Sequence, residues 1–184
     1  MEIIMLVQDN DTIKKITNIK DLDFFRIIAK NLIEKPCWQT RISYGDELCL
    51  DFGREIPYGD HAHKFLAGKK KGEWRFGTRG TDWQLISAPG IILTSSAENV
   101  EVFKSKVKIL EGTNITKFET DYPDLVLTIG FSNGCQLKLF PDLADDSEVS
   151  CWELFTPNNM LLTLEPGGIW TYTRSDVPMG EKNG

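Results

Sequence analysis

The sequence predicts an α+β protein, mainly antiparallel β, made of two related β-meander units that follow an N-terminal β-hairpin and one helix. Three observations carry that prediction. Two stretches about 77 residues apart share the same punctuation. Short runs of β-branched and aromatic residues, separated by turn residues, fill the chain from Trp38 onward. A single amphipathic helical pattern precedes them. The self-similarity rests on three anchors: Glu47 to Gly53 (ELCLDFG) lines up with Asp124 to Gly130 (DLVLTIG), Trp74-Arg75-Phe76 with Trp152-Glu153-Leu154, and Pro89-Gly90 with Pro166-Gly167. The chain then divides into a hairpin and helix over 1–36, a first β unit over 37–110, a second over 111–174 and a flexible tail over 175–184, together one compact domain. Unrelated meanders sharing turn residues by chance are the competing explanation.

In order along the chain, Glu2 to Val7 and Thr12 to Thr17 read as strands around a polar turn. Leu22, Phe25, Ile28, Ala29 and Leu32 recur at helical spacing, Asp21 or Asp23 can cap the helix, and Pro36 forbids its continuation beyond Lys35. This is the only long helix expected. The first unit contains strands at Trp38 to Tyr44, Glu47 to Phe52, Glu73 to Thr78, Trp83 to Ser87 and Ile91 to Ser95. Val100 to Leu110 and Ile115 to Thr120, also read as extended runs, lead into the second. That unit has strands at Leu125 to Phe131, Cys135 to Phe140, Ser150 to Phe155, Leu161 to Glu165 and Ile169 to Thr173. Asn133-Gly134 is a hairpin signal for a type I′ turn, which needs positive φ at both central residues, and Pro157-Asn158-Asn159 is a second turn.

A chain of 184 residues with 41% apolar content buries a core without help from metal or disulfides. Cys37, Cys49, Cys135 and Cys151 form no CxxC pair, and they read as reduced, mostly buried thiols of a cytoplasmic protein. The segment Met1 to Asp9 has neither a basic flank nor an apolar run long enough for a signal peptide or membrane span. The net charge of −6 is unevenly placed: residues 1–36 hold six basic and six acidic groups, 37–100 eight of each, and 101–184 seven against thirteen. Nucleic-acid binding draws its affinity from Lys and Arg displacing counterions, so this balance argues against that partner. It favours a basic one.

The loop between the second and third strands of each unit separates the copies most. The first carries Lys64, Lys69, Lys70 and Lys71, the second Asp142, Asp145, Asp146 and Glu148. Solvated loops account for both. A functional reading groups the acidic loop with Glu119, Asp121 and Asp124 as a negative patch for a basic surface, where complementary charge mainly raises association rate and selectivity. Trp152 could add an aromatic anchor, although core packing suits it as well. Lys69 to Lys71 with Trp74, Arg75, Phe76 and Arg79 interleaves cations with aromatics as single-strand binders do, but strand alternation puts Trp74 and Phe76 on a core face and Arg75 on the other. His61 and His63 could share a metal if a carboxylate such as Asp51 approached, a weak two-ligand signal beside the reading of a polar loop. Local signatures for nucleophilic catalysis, nucleotide binding or any cofactor do not occur. No catalytic or metal-binding residues are assigned.

The stretch FSNGCQLKLFP (Phe131 to Pro141), followed by SCWELFTP (Ser150 to Pro157) and Pro166-Gly167-Gly168, resembles bacterial immunity proteins of contact-dependent inhibition and related polymorphic toxin systems. The resemblance covers about fifty residues, all strand and turn markers. It implies a cytoplasmic, non-enzymatic antidote that binds the toxic domain of a secreted effector, often a nuclease and therefore basic. It carries over no site residue. The alternatives are a metal-dependent enzyme using His61 and His63, and a β-rich ligand-binding or regulatory domain.

Overall fold

The computed structural model describes residues 11–43, 46–59, 64–96, 99–144 and 149–176. Its elements are β1 (Thr12–Lys15), α1 (Asp23–Lys30), β2 (Pro36–Ile42), β3 (Leu48–Pro57), β4 (Lys70–Thr78), β5 (Thr81–Ser87), β6 (Gly90–Thr94), α2 (Val100–Val107), β7 (Thr113–Thr120), β8 (Leu127–Phe131), β9 (Gln136–Pro141), β10 (Trp152–Phe155), β11 (Met160–Glu165) and β12 (Ile169–Arg174). The strands form one sheet in the order β1-β12-β11-β10-β4-β3-β2-β7-β8-β9-β5-β6, antiparallel at every pairing. This is the expected α+β, mainly antiparallel β class. The expected strand Glu2 to Val7 and the tail beyond Asp176 lie outside the described residues.

Two expectations are corrected. Val100 to Leu110 is not extended: it forms α2 and a 3-10 turn (Lys108–Leu110), so the chain has a second helix. Asn99 caps it, its Oδ1 accepting the N–H groups of Glu101 at 3.0 Å and Val102 at 3.2 Å, and Phe103, Val107 and Leu110 supply a buried helical stripe. The Asn133-Gly134 turn is also not type I′, since Gly134 (φ 84) alone is left-handed. Phe131 N–H bonds to the Cys135 carbonyl and Gly134 N–H to that of Phe131, both at 2.9 Å.

The sheet is built twice around a pseudo-twofold between β2 and β7. Those strands meet at only two residue pairs, Pro36↔Asn114 and Cys37↔Thr113. The ladder β2–β3 pairs Cys37↔Phe52, slips one residue, then pairs Thr40↔Leu50 and Ile42↔Leu48. The ladder β7–β8 repeats it as Ile115↔Phe131, the same slip, Phe118↔Ile129 and Thr120↔Leu127. The helices obey the same relation, with Phe25, Ala29 and Leu32 buried in one half and Phe103, Val107 and Leu110 in the other. So do the residues that end them, Glu34 (φ 67) and Gly112 (φ 82). The repeat foreseen in the sequence is therefore present, with all three of its anchors placed differently: Leu48, Leu50 and Phe52 correspond to Leu127, Ile129 and Phe131, two residues beyond the match of Glu47–Gly53 with Asp124–Gly130. Trp152 corresponds to Trp83, not Trp74, because Trp152↔Thr78 and Leu154↔Phe76 mirror Trp83↔Leu139 and Leu85↔Leu137. Pro89-Gly90 corresponds to the turn at Pro157 to Asn159, as Leu85↔Leu93 mirrors Leu154↔Leu162.

The hairpins are exchanged. β5–β6 of the first half extends the second half's β9, and β10–β11 of the second extends the first half's β4. Each carries its tryptophan onto the other half's helix: Trp83 meets Phe103 of α2 edge-on at 5.0 Å, and Trp152 lies 5.8 Å from Phe25 of α1. Phe25 and Phe76 also contact Phe118 of β7, so a ring cluster spans the junction. Deleting a buried tryptophan leaves a cavity worth about 3–5 kcal/mol. We expect Trp83→Ala and Trp152→Ala each to lose about that much in urea titrations while keeping one transition, coincident by fluorescence and circular dichroism, because neither half closes its sheet alone.

The entry to α1 is an ionic cap. The Asp21 carboxylate accepts hydrogen bonds from Thr17 N–H and Oγ1 at 2.8 and 2.9 Å and from Asn18 N–H at 3.1 Å, and pairs with the Lys14 ammonium of β1 at 2.8 Å. Chiefly the Lys14 ammonium, and then the Thr17 donors, hold this carboxyl well below the usual range. A depressed native pKa stabilises the fold fully above the unfolded carboxylate value of about 4 and loses that contribution as pH falls further. Asp21→Asn should accordingly reduce stability at neutral pH and make the urea midpoint fall less steeply below about pH 4.

Candidate functional site

The register brings one end of the second half's ladders together. Thr120, the last residue of β7, pairs with Leu127, the first residue of β8 described in that ladder, and Leu127 pairs with Leu139 near the end of β9. The turn carrying Asp121 and Asp124 and the loop opening with Asp142 therefore emerge side by side. Both are braced. The Asp121 N–H bonds to the Val126 carbonyl at 3.1 Å, the Tyr122 hydroxyl donates to the Thr17 carbonyl at 2.7 Å, and Leu125 is buried. In the neighbouring loop Asp142 Oδ1 accepts the Ala144 N–H at 2.9 Å, and the Leu143 carbonyl accepts the Gly167 N–H at 3.0 Å. The Pro166–Gly168 turn is the shared support: Gly168, with φ 68, lies close enough to Leu125 that a Cβ would meet its Cδ1 at 3.4 Å.

Asp121, Asp124 and Asp142 are exposed on this braced end. Asp145, Asp146 and Glu148 lie outside the described residues. Glu119 faces differently: its carboxylate pairs with Lys117 at 3.0 Å, and across the ladders its row continues through Thr128 to Lys138. It belongs to a mixed-charge face and adds little negative potential. Trp152 is corrected outright. It is 2% exposed, packed against Phe25 and Phe76 in the core, and provides no surface anchor.

Alternation places the remaining candidates as expected from β spacing. Trp74 and Phe76 are buried, whereas Arg75 stands on the opposite face with its guanidinium 4.0 Å from the centre of the Phe155 ring. Stacking bases on those aromatics is thereby closed off. Asp51 offers nothing to a metal: fully buried, it accepts the Gly72 N–H on one oxygen and Arg41 Nη2 on the other, both at 2.7 Å. His61 and His63 lie outside the described residues, and among the described residues no three His, Cys, Asp or Glu stand close enough to hold a metal ion.

Sequence reading did not anticipate the ionic lattice on the sheet face away from the helices. Arg79 bridges Glu47 at 3.2 Å and Glu153 at 2.8 Å, joining β3's entrance to β10, and Arg41–Asp51 joins β2 to β3. The alternating charges at 47, 51, 75, 79 and 153 are its only signal in the sequence. Two open clefts flank α2, one of about 440 Å³ against Thr40 to Ile42 and one of about 540 Å³ along β6. Among the described residues no helix is long and apolar enough to cross a membrane. Neither protein families, nor characterised proteins, nor solved structures give a match to this chain.

All four cysteines are free. Burial pushes the Cys37 thiol up to about 12 and the Cys151 thiol up to about 11, aided by Glu111 and Glu165 respectively, and burial also raises Cys49 and Cys135. Thiolate is the reactive form. At pH 8 the native protein should react with a thiol reagent far more slowly than the urea-unfolded chain, with four equivalents released only on unfolding. Asp51→Ala should cost about 3–5 kcal/mol, toward the lower end because Arg41 retains solvent contact, as removing one partner strands the other and the Gly72 N–H.

Proposed function

We propose that this protein works by binding another protein, and that its braced acidic end docks on a basic surface. The observation that carries the reading is the presentation of Asp121, Asp124 and Asp142 on two adjacent turns anchored to a common support. Charges held on a rigid frame keep their field aligned during encounter, and they raise association rate more than final affinity. An antidote to a secreted nuclease toxin fits this arrangement, as the resemblance of the second unit to immunity proteins implies. In this reading the partner is a basic toxin domain encoded beside this chain, binding replaces catalysis, no cofactor takes part, and the complex forms in the cytoplasm, where thiols remain reduced. Neither nucleic acid nor membrane is a partner.

The test is co-expression with the toxin domain encoded next to this chain, followed by association kinetics on the purified pair. The chain should restore growth. The triple variant Asp121→Asn, Asp124→Asn, Asp142→Asn should associate about tenfold more slowly at low salt, with a flatter salt dependence and unchanged urea midpoint. Rescue of growth with kinetics indifferent to the three substitutions would retain an antidote and remove this surface from it, whereas no rescue would remove the antidote reading itself.

A further inference from the structure

The order of strands interleaves the two halves. Between Ser96, exposed just beyond β6, and Asn99, the exposed cap of α2, the chain passes from the first half to the second. The sheet runs in blocks that alternate between them: β1 from the first, β12-β11-β10 from the second, β4-β3-β2 from the first, β7-β8-β9 from the second and β5-β6 from the first. Among the described strands no ladder joins one block of a half to another block of the same half. Every junction is made with the other half: β1 with β12, β10 with β4, β2 with β7 and β9 with β5. The rings follow the same rule. Among the described residues each aromatic contact crosses between halves: Phe24 with Trp170 at 4.7 Å and Tyr172 at 5.3 Å, Phe25 and Phe76 with Phe118 and Trp152, and Trp83 with Phe103. Main-chain bonds add to this, from Gly112 N–H to the Cys37 carbonyl at 2.7 Å and from Glu34 N–H to that of Ile115 at 2.8 Å.

We propose that the two halves are obligate partners that assemble without a covalent link, so that a first half closes equally on the second half of its own chain or of another copy. Alone, each half holds only separate pieces. The first keeps a lone strand, a three-stranded meander and a hairpin, and the second keeps two three-stranded meanders. A lone hairpin is marginal in water, and a small sheet needs its apolar face packed to stand by itself. Here that packing comes from the other half. The ring contacts of α1 go to β7, β10 and β12, and that of α2 goes to β5, so each helix rests on strands belonging to its counterpart. The connection between Ser96 and Asn99 supplies effective concentration, while the contacts that define the fold lie elsewhere. This pairing is independent of the acidic end.

A protease recognition sequence inserted between Ala97 and Glu98 of the full chain opens the link on demand. The cut protein should elute from gel filtration where the uncut protein does, with the same circular dichroism. Its urea midpoint should rise across about a hundredfold range of protein concentration while that of the uncut chain stays constant, because unfolding of the cut protein releases two partners. When cut protein grown on heavy and on light isotopes is mixed, unfolded in urea and refolded, native mass spectrometry should find about half of the particles mixed, as interchangeable halves require. Phe24→Leu removes a ring stacked across the halves and should raise the concentration at which the cut particle dissociates about tenfold. Trp83→Ala should raise it about a hundredfold or more, and the Phe24 variant stands alone should the other fail to fold. Loss of the fold on insertion alone would overturn the proposal. So would separation of the cut segments in native buffer, particles that never mix, dissociation indifferent to Phe24→Leu, or a midpoint independent of concentration, the sign that one half folds by itself.

Discussion

The fold depends on a sheet whose two halves barely touch through their own central strands. Two residue pairs join β2 to β7, far too short a ladder to align larger sheets, and beyond them the strands diverge. What fixes the halves is the exchange of hairpins: β10–β11 cannot leave β4 without opening the core over α1, and β5–β6 cannot leave β9 without exposing α2. Burial of Trp83 and Trp152 thus serves both halves at once, and the apolar core is continuous across the junction. Hydrophobic burial is non-directional. The exchanged topology is what turns it into a constraint on relative position.

Departures from the pseudo-twofold locate the two clefts beside α2 and much of the charge. Where the second half places Phe118 against Phe25, the first places Thr40, whose N–H and hydroxyl both bond to Glu111 at 2.9 Å. A small polar residue in place of a ring leaves the space between β2 and α2 that forms one cleft. Where β12 covers the first helix, nothing described covers the second, and the other cleft follows. Lys104 and Lys106 ride on α2 and Lys108 on the 3-10 turn that follows it, while Asp121, Asp124 and Asp142 gather on the β7–β8 and β9–β10 turns. One copy of the scaffold therefore carries lysines on its helix and aspartates on its turns.

The face away from the helices is held by ions instead of a second apolar layer. Asp51 is fully buried and satisfied by a backbone N–H and a guanidinium, and Arg79 ties β3 to β10 across the exchanged boundary through Glu47 and Glu153. Such pairs add little net stability when measured against apolar replacements, yet removing one partner strands the other. Their geometric demand specifies register, and β3 and β10 flank the very strand, β4, at which the hairpin of the other half is added.

The sequence by itself determined the local elements. Period-two patterning placed the described strands at or near their positions, Pro36 and the Leu22 to Leu32 spacing set α1, and the presence of a repeat was legible in the shared alternation of Leu48, Leu50 and Phe52 with Leu125, Leu127 and Ile129, although the ladders make their true counterparts Leu127, Ile129 and Phe131. The second helix was missed because Val100, Val102, Val107 and Ile109 look extended when the Asn99 cap and the Phe103–Val107–Leu110 stripe are not weighed together. Only the tertiary structure decided which repeat partners correspond, that Trp152 is core and Glu119 ion-paired, and that Asp121, Asp124 and Asp142 stand together. Those outcomes depend on which strands become neighbours. Periodicity fixes the face a side chain takes within its own strand, but exchanged hairpins bring together residues far apart in the chain, and no local spacing encodes that choice.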